Sequence, residues 1–147
     1  MKLSKMVKTN TIKEGKHIFK IVSVKPLTYS EDTEVSKRIP KVIIQGLVDN
    51  NILHSVYALN EHKKVDELFT PSMYDKILCN ILSELNIEVS EDFDTEDFDT
   101  INILLHGKEL PCYALNNKAD NGKTYCNITF TKTDKYLVWE KLQMLAQ

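Results

Sequence analysis

Cysteine is scarce and odd in number: Cys79, Cys112 and Cys126 stand far apart, with no CxxC pair. That argues against both a disulfide framework and a zinc site, and fits a reducing cytoplasm. Only four Gly and four Pro are present, too few for a low-complexity or collagen-like chain. No apolar run approaches the ~20 residues of a membrane span. The opening MKLSKMVKTNTIKEGK carries lysines but no apolar h-region or cleavage site, so no secretory signal is expected. Neither GxGxxG nor GxxxxGKS follows a strand pattern, which leaves a nucleotide-binding α/β fold without support. His17, His54, His62 and His106 are scattered, without HExxH, so no catalytic centre, metal or cofactor is expected. What remains is 147 residues, 42% hydrophobic and 27% charged: one soluble domain with a single core rather than a two-domain enzyme.

The formal net charge of −2 conceals an asymmetry. Residues 1–25 hold seven lysines against Glu14, a balance of +6, so the other residues sum to −8. Much of the negative charge lies in a tandem pentapeptide, Glu91–Thr95 then Glu96–Thr100, with six carboxylates in nine positions. A basic end and an acidic stretch suit polyanion binding, head-to-tail self-association, or solvated surface. The repeat lacks the Gly and ligand spacing of an EF-hand, and Phe93 and Phe98 are spaced for separate turns rather than one helical face.

Residues 1–14 read as a flexible basic arm whose apolar points are Leu3, Met6 and Val7. Residues 17–24 and 41–48 are β-branched strands, the second with a bulge or bend expected at Gly46. Asp49-Asn50-Asn51 signals a tight turn returning through strand 52–59. Thr70 as N-cap and Pro71 begin a helix with Met73, Ile77, Ile81 and Leu85 on its apolar stripe, flanked by Tyr74, Leu78 and Leu82. Ile101–His106 and Leu110–Leu115 read as one long strand bent near Gly107, and residues 124–131 alternate as a half-buried strand. Residues 134–146 form a short helix with Leu137, Val138, Leu142 and Leu145 as its apolar side.

Five antiparallel strands, a helix between the third and fourth, and a C-terminal helix give the order of a mostly β, five-stranded OB-fold barrel over residues 15–132, with the last helix in 133–147. Spacing alone also allows another small barrel or an α+β sheet. Leu105-His-Gly-Lys-Glu-Leu110 followed by Asn121-Gly-Lys-Thr-Tyr-Cys-Asn-Ile128 resembles the last hairpin of OB-fold single-stranded DNA-binding proteins of phages and conjugative plasmids of low-GC Gram-positive bacteria. The resemblance covers about 25 residues. It does not extend to the Gly-rich linker and acidic, aromatic-tipped tail of prototypical bacterial members, since this chain ends Lys141–Gln147. It implies a non-catalytic protein that coats single-stranded DNA with little sequence preference.

An OB groove holds phosphates with cations and stacks bases on aromatic faces, using the loops between strands one and two and between four and five. The first loop supplies Lys25, Tyr29, Lys37 and Arg38, with Lys41 just beyond it. The second supplies Asn116, Asn117, Lys118 and Lys123, with Tyr125 at its exit. Tyr125 alternates against Cys126, Ile128 and Phe130, so it faces out, either to stack a base or to pack across strands on Tyr113. Tyr57 is assigned to core or rim rather than to ligand. The arm either neutralises phosphates or docks Leu3, Met6 and Val7 on a neighbouring subunit, which makes binding cooperative. The alternative function is a protein-interaction or DNA-mimic module acting through residues 91–100.

Overall fold

The computed structural model describes residues 11–147. Its frame is an antiparallel meander of β1 (Gly15–Pro26), β2 (Lys41–Val48) and β3 (Ile52–Leu59). The link from β2 to β3 is the expected tight turn: Asp49 and Asn50 adopt left-handed φ of 51° and 64°, Asn51 N donates to the Val48 carbonyl at 3.2 Å, and Ile52 pairs with Val48. β1 also pairs, through residues 15–20, with β6 (Glu109–Lys118), and β6 pairs with β7 (Thr124–Thr129). One sheet results, in the order β3-β2-β1-β6-β7. A separate small hairpin, β4 (Lys64–Val65) and β5 (Leu68–Phe69), follows β3. Three helices complete the described chain: α1 (Met73–Glu84), α2 (Phe98–Leu105) and α3 (Asp134–Leu145). None is long and apolar enough to cross a membrane.

Alternate strand residues fill one core. Phe19, Ile21, Val24, Val42, Ile44, Val48, Leu110, Cys112 and Ala114 point inward and meet Tyr74, Leu78 and Ile81 of α1 and Ile101 and Leu105 of α2. Gly46 is regularly paired with Ile21, not bulged as its residue type suggested; the irregularity falls opposite, at Val22, between Ile21 and Ser23. Glycine is needed at 46 for packing, because a Cβ there would run into the Phe19 ring and the Lys20 carbonyl oxygen. Phe130 holds that ring edge-on at 5.1 Å between centroids.

Four expectations are corrected. Residues 101–105 are helical, not a strand, so two helices and a hairpin separate β3 from β6. The acidic repeat decides this: the Asp97 carboxylate accepts from Thr100 N at 3.3 Å as N-cap, and Asn102 clasps β1 by accepting from Val24 N and donating to the Val24 carbonyl, both at 2.8 Å. The α1 cap is Ser72 rather than Thr70, because Asp75 lies three residues on and closes a reciprocal capping box. In α3 the expected apolar side faces solvent: Leu137, Val138, Leu142 and Leu145 are exposed. The helix docks instead by Tyr136, packed edge-on against Tyr113 at 4.9 Å and beside Trp139 at 5.3 Å.

The fourth correction concerns closure. The sheet curls until β3 and β7 face each other, but no hydrogen-bond ladder joins them, and both remain edges of the sheet. Residues 52–54 lie across from 124–126, and residues 54–57 across from 126–128, so the edges run in the same direction along an open seam. At its lower end Ile77 and Asn80 of α1 meet Val56 and Ile128 around a cavity of about 100 Å³. Helix side chains, not paired backbones, bridge the edges there.

Candidate functional site

The register of β1, β2 and β3 builds ordered rows on the outer surface of the sheet. Lys25 pairs with Ile43 and Ile43 with Tyr57; further along, Lys20 pairs with Leu47 and Leu47 with Leu53. Each row therefore runs from a lysine through an aliphatic side chain to an exposed apolar one, Tyr57 at 59% and Leu53 at 57% exposure. Between the rows, Gln45 Nε2 donates to Ser55 Oγ at 3.3 Å. Ammonium groups beside a flat, half-covered apolar strip can hold phosphates while nucleobases rest on the strip.

Past the β3 edge lies the seam. Its upper cleft, about 410 Å³, is lined by Leu53, His54, Asn116 and Tyr125 among others, and by Thr11 and Ile12. A second cleft of about 210 Å³ continues between Ser55–Tyr57 and Cys126–Ile128. Tyr125 is 52% exposed and paired with Asn117. Tyr113 pairs with Thr129 and packs on Tyr136, so it is not the cross-strand partner of Tyr125. His54 lines both clefts, and burial pushes its pKa down, which keeps the ring neutral at pH 7.

The residues singled out in the sequence fall into two groups at opposite ends of β3. Lys25 and Lys41 sit at its Leu59 end, where Lys41 pairs with Leu59 and its carbonyl accepts from Leu27 N. The loop beyond them is braced from within: Tyr29 donates its hydroxyl proton to the Ile39 carbonyl. Arg38 donates to the carbonyls of Thr33 and Glu31 at 3.0 and 3.1 Å, and Lys37 stands 3.7 Å from Glu34. Tyr29 and Arg38 thus shape the loop. At the other end, Asn116, Lys118, Lys123 and Tyr125 surround the β6–β7 turn, with Lys118 and Lys123 exposed. The outer face of β3 joins the groups. Tyr57, Leu53 and Lys20 are additions to the site. Their signal in the sequence was the tight turn Asp49-Asn50-Asn51, whose three-residue length sets the β2–β3 register and thereby places Tyr57 outward beside Ile43.

Several motif residues prove to be turn chemistry. Gly107 and Gly122 take φ of 79° and 81°, and Asn121 Oδ1 accepts from Lys123 N at 3.0 Å. Thr11–Glu14 run along the sheet: Ile12 is buried in the core, and Glu14 Oε2 accepts from Asn116 N at 3.0 Å. Leu3, Met6 and Val7 lie outside the described residues. The acidic repeat makes two turns that lodge Phe93 and Phe98 against the core. Asp94 caps Glu96 N at 2.9 Å, Glu96 accepts from Asn60 at 3.1 Å, and Asp97 caps α2. Among the described residues no group of three or more His, Cys, Asp or Glu is placed to hold a metal. The Cys112 thiol is pushed up to about 12, chiefly by burial, and is unreactive at neutral pH. Comparison with protein-family models and with curated proteins returns no match for the chain.

Proposed function

We propose that the protein is a non-catalytic, OB-like single-stranded DNA-binding protein with little sequence preference, which coats exposed strands during phage or conjugative-plasmid DNA processing. The observation that carries this reading is the outer face of β1–β3, where in-register lysines flank an apolar strip that ends in Tyr57, with Tyr125 across the seam. Bases stack on Tyr57 and Tyr125, and Lys20, Lys25, Lys41, Lys118 and Lys123 follow the phosphates. Stacking and phosphate contacts carry little sequence information, so sequence preference is low. Self-association through Leu3, Met6 and Val7 makes coating cooperative. The repeat at 91–100 supports a DNA-mimic role less well, because Asp94, Glu96 and Asp97 are engaged in holding turns and α2.

Anisotropy of a labelled dT oligonucleotide over a salt series tests the proposal. Binding at low salt that weakens with salt and exceeds duplex binding is expected. No binding at low salt ends the reading, and equal binding to duplex removes its single-strand element.

A further inference from the structure

The hairpin β4–β5 carries Val65, Leu68 and Phe69 at 54%, 75% and 69% exposure, and no described residue covers them. The hairpin is defined by its turn and by hydrogen bonds at its root. Asp66 and Glu67 adopt φ of 48° and 70°, a type I′ turn. At its base Thr70 N donates to the Lys63 carbonyl at 2.7 Å, Lys63 N donates to Thr70 Oγ1 at 3.1 Å, and His62 stands 2.7 Å from Asp75. A free two-stranded hairpin is marginal in water, and this one adds nothing to the core. Between His62 and Phe69 lies an open concavity of about 290 Å³. The turn itself is acidic, Asp66-Glu67, while Glu61 is offset by Lys63 and Lys64 at the root, and Asn60 links that root to Glu96 of the acidic repeat.

An apolar knob tipped by Asp66 and Glu67 is the complement of Lys2-Leu-Ser-Lys-Met-Val-Lys8, whose apolar residues are interleaved with lysines. For Met6 and Val7, the apolar pair nearest the sheet, reach favours another chain over the same one. Thr11 and Ile12 line the seam beside residues 52–54, at the start of β3, whereas the hairpin follows the end of β3. Met6 and Val7 are five and four residues from Thr11 and reach at most about 18 and 14 Å. β3 from His54 to Leu59 is already about 17 Å long, and the hairpin begins five residues later. We infer that the β4–β5 hairpin of one copy receives residues 2–8 of a second copy. The proposal deepens, and rests on, the self-association in the functional reading above. Donor segment and receptor hairpin are different parts of the chain, so the contact is heterologous and propagates head to tail. Chains of this kind align copies along a strand.

Sedimentation velocity on three full-domain proteins tests the inference: the intact chain, a variant lacking residues 1–10, and Phe69→Ser. The intact chain forms concentration-dependent oligomers at low salt, and each variant alone stays monomeric, its self-association weakened at least tenfold. Mixing the two variants restores a one-to-one pair, because Phe69→Ser supplies the arm and the truncated chain supplies the hairpin. Circular dichroism and affinity for a short dT oligonucleotide, unchanged in Phe69→Ser, show that its fold and DNA site are intact. A monomeric intact chain, a Phe69→Ser protein that associates normally, or a mixture that stays monomeric overturns the inference. So does loss of short-oligonucleotide affinity in Phe69→Ser, which would assign the His62–Phe69 concavity to a nucleobase. If the pair forms but no protein binds DNA, the docking stands and the DNA reading falls.

Discussion

Tyr57 projects from the sheet edge with most of its ring in water and no hydrogen bond to hold it, so its removal affects a ligand more than the fold. Tyr57→Ala is expected to weaken dT-oligonucleotide binding by about 1–3 kcal/mol, with unfolding in urea shifted by about 0.5 kcal/mol or less. Gly46→Ala is its opposite. The added methyl meets a phenyl ring that Phe130 prevents from moving, and stability falls by about 1–3 kcal/mol in urea titration. Acid sensitivity also resides in single residues. The Ile18 amide holds the Asp49 carboxyl below its ordinary range against a burial penalty, with help from His17. For Asp75, burial raises the pKa, but hydrogen bonds from the Ser72 amide and other groups more than offset it. A depressed carboxylate stabilises the fold above its unfolded pKa, and that stability is lost as pH falls through the folded one. Urea midpoints should therefore hold down to the ordinary aspartate range and drop below it, and Asp49→Asn should flatten part of that drop.

At the scale of elements, α2 depends on a cap that is also part of the acidic repeat. Asp97→Ala is expected to cost about 1 kcal/mol, read by thermal unfolding, whereas Asp92→Asn, which no hydrogen bond engages, should cost little. Strands were legible because their signals are local: the alternation of 124–130 and the Asp-Asn turn both appear as expected. α2 was misread because Ile101-Asn-Ile-Leu-Leu is apolar enough for a strand, and its helical state is decided by Asp97 before it and by Asn102 bridging to Val24, 78 residues away in sequence. The dry side of α3 was misread for a related reason. Its aliphatic stripe is the stronger pattern, yet docking is decided by aromatic packing of Tyr136 on Tyr113, a partner no local pattern reveals. Of the candidate site, the loop lysines and Tyr125 were readable from residue type and phase. Tyr57 and Lys20 needed the register across three strands.

For the whole molecule, the sign of the net charge is a poor guide, because the acidic repeat and the sheet-face lysines are set apart, although Glu109 lies across from Lys20. Lys20, Lys25 and Lys41 border the outer sheet face, while the acidic turns pack at the start of α1 through Thr95 and Tyr74. If five lysines each neutralise a phosphate, log K falls against log salt with a slope near −3.5, and Lys25→Gln with Lys41→Gln reduces it by about 1.4. The open seam matters at this scale too, since its clefts continue the sheet face from Leu53 to Tyr125 without a break. Amide and methyl NMR shifts, followed as a short dT oligonucleotide is added, test the central claim most directly. The account predicts that perturbations trace Lys20, Lys25, Ile43, Leu53, Tyr57 and Tyr125 and spare the exposed side of α3. Shifts confined to α3 or to the acidic turns, with the outer face of β1–β3 silent, would contradict it.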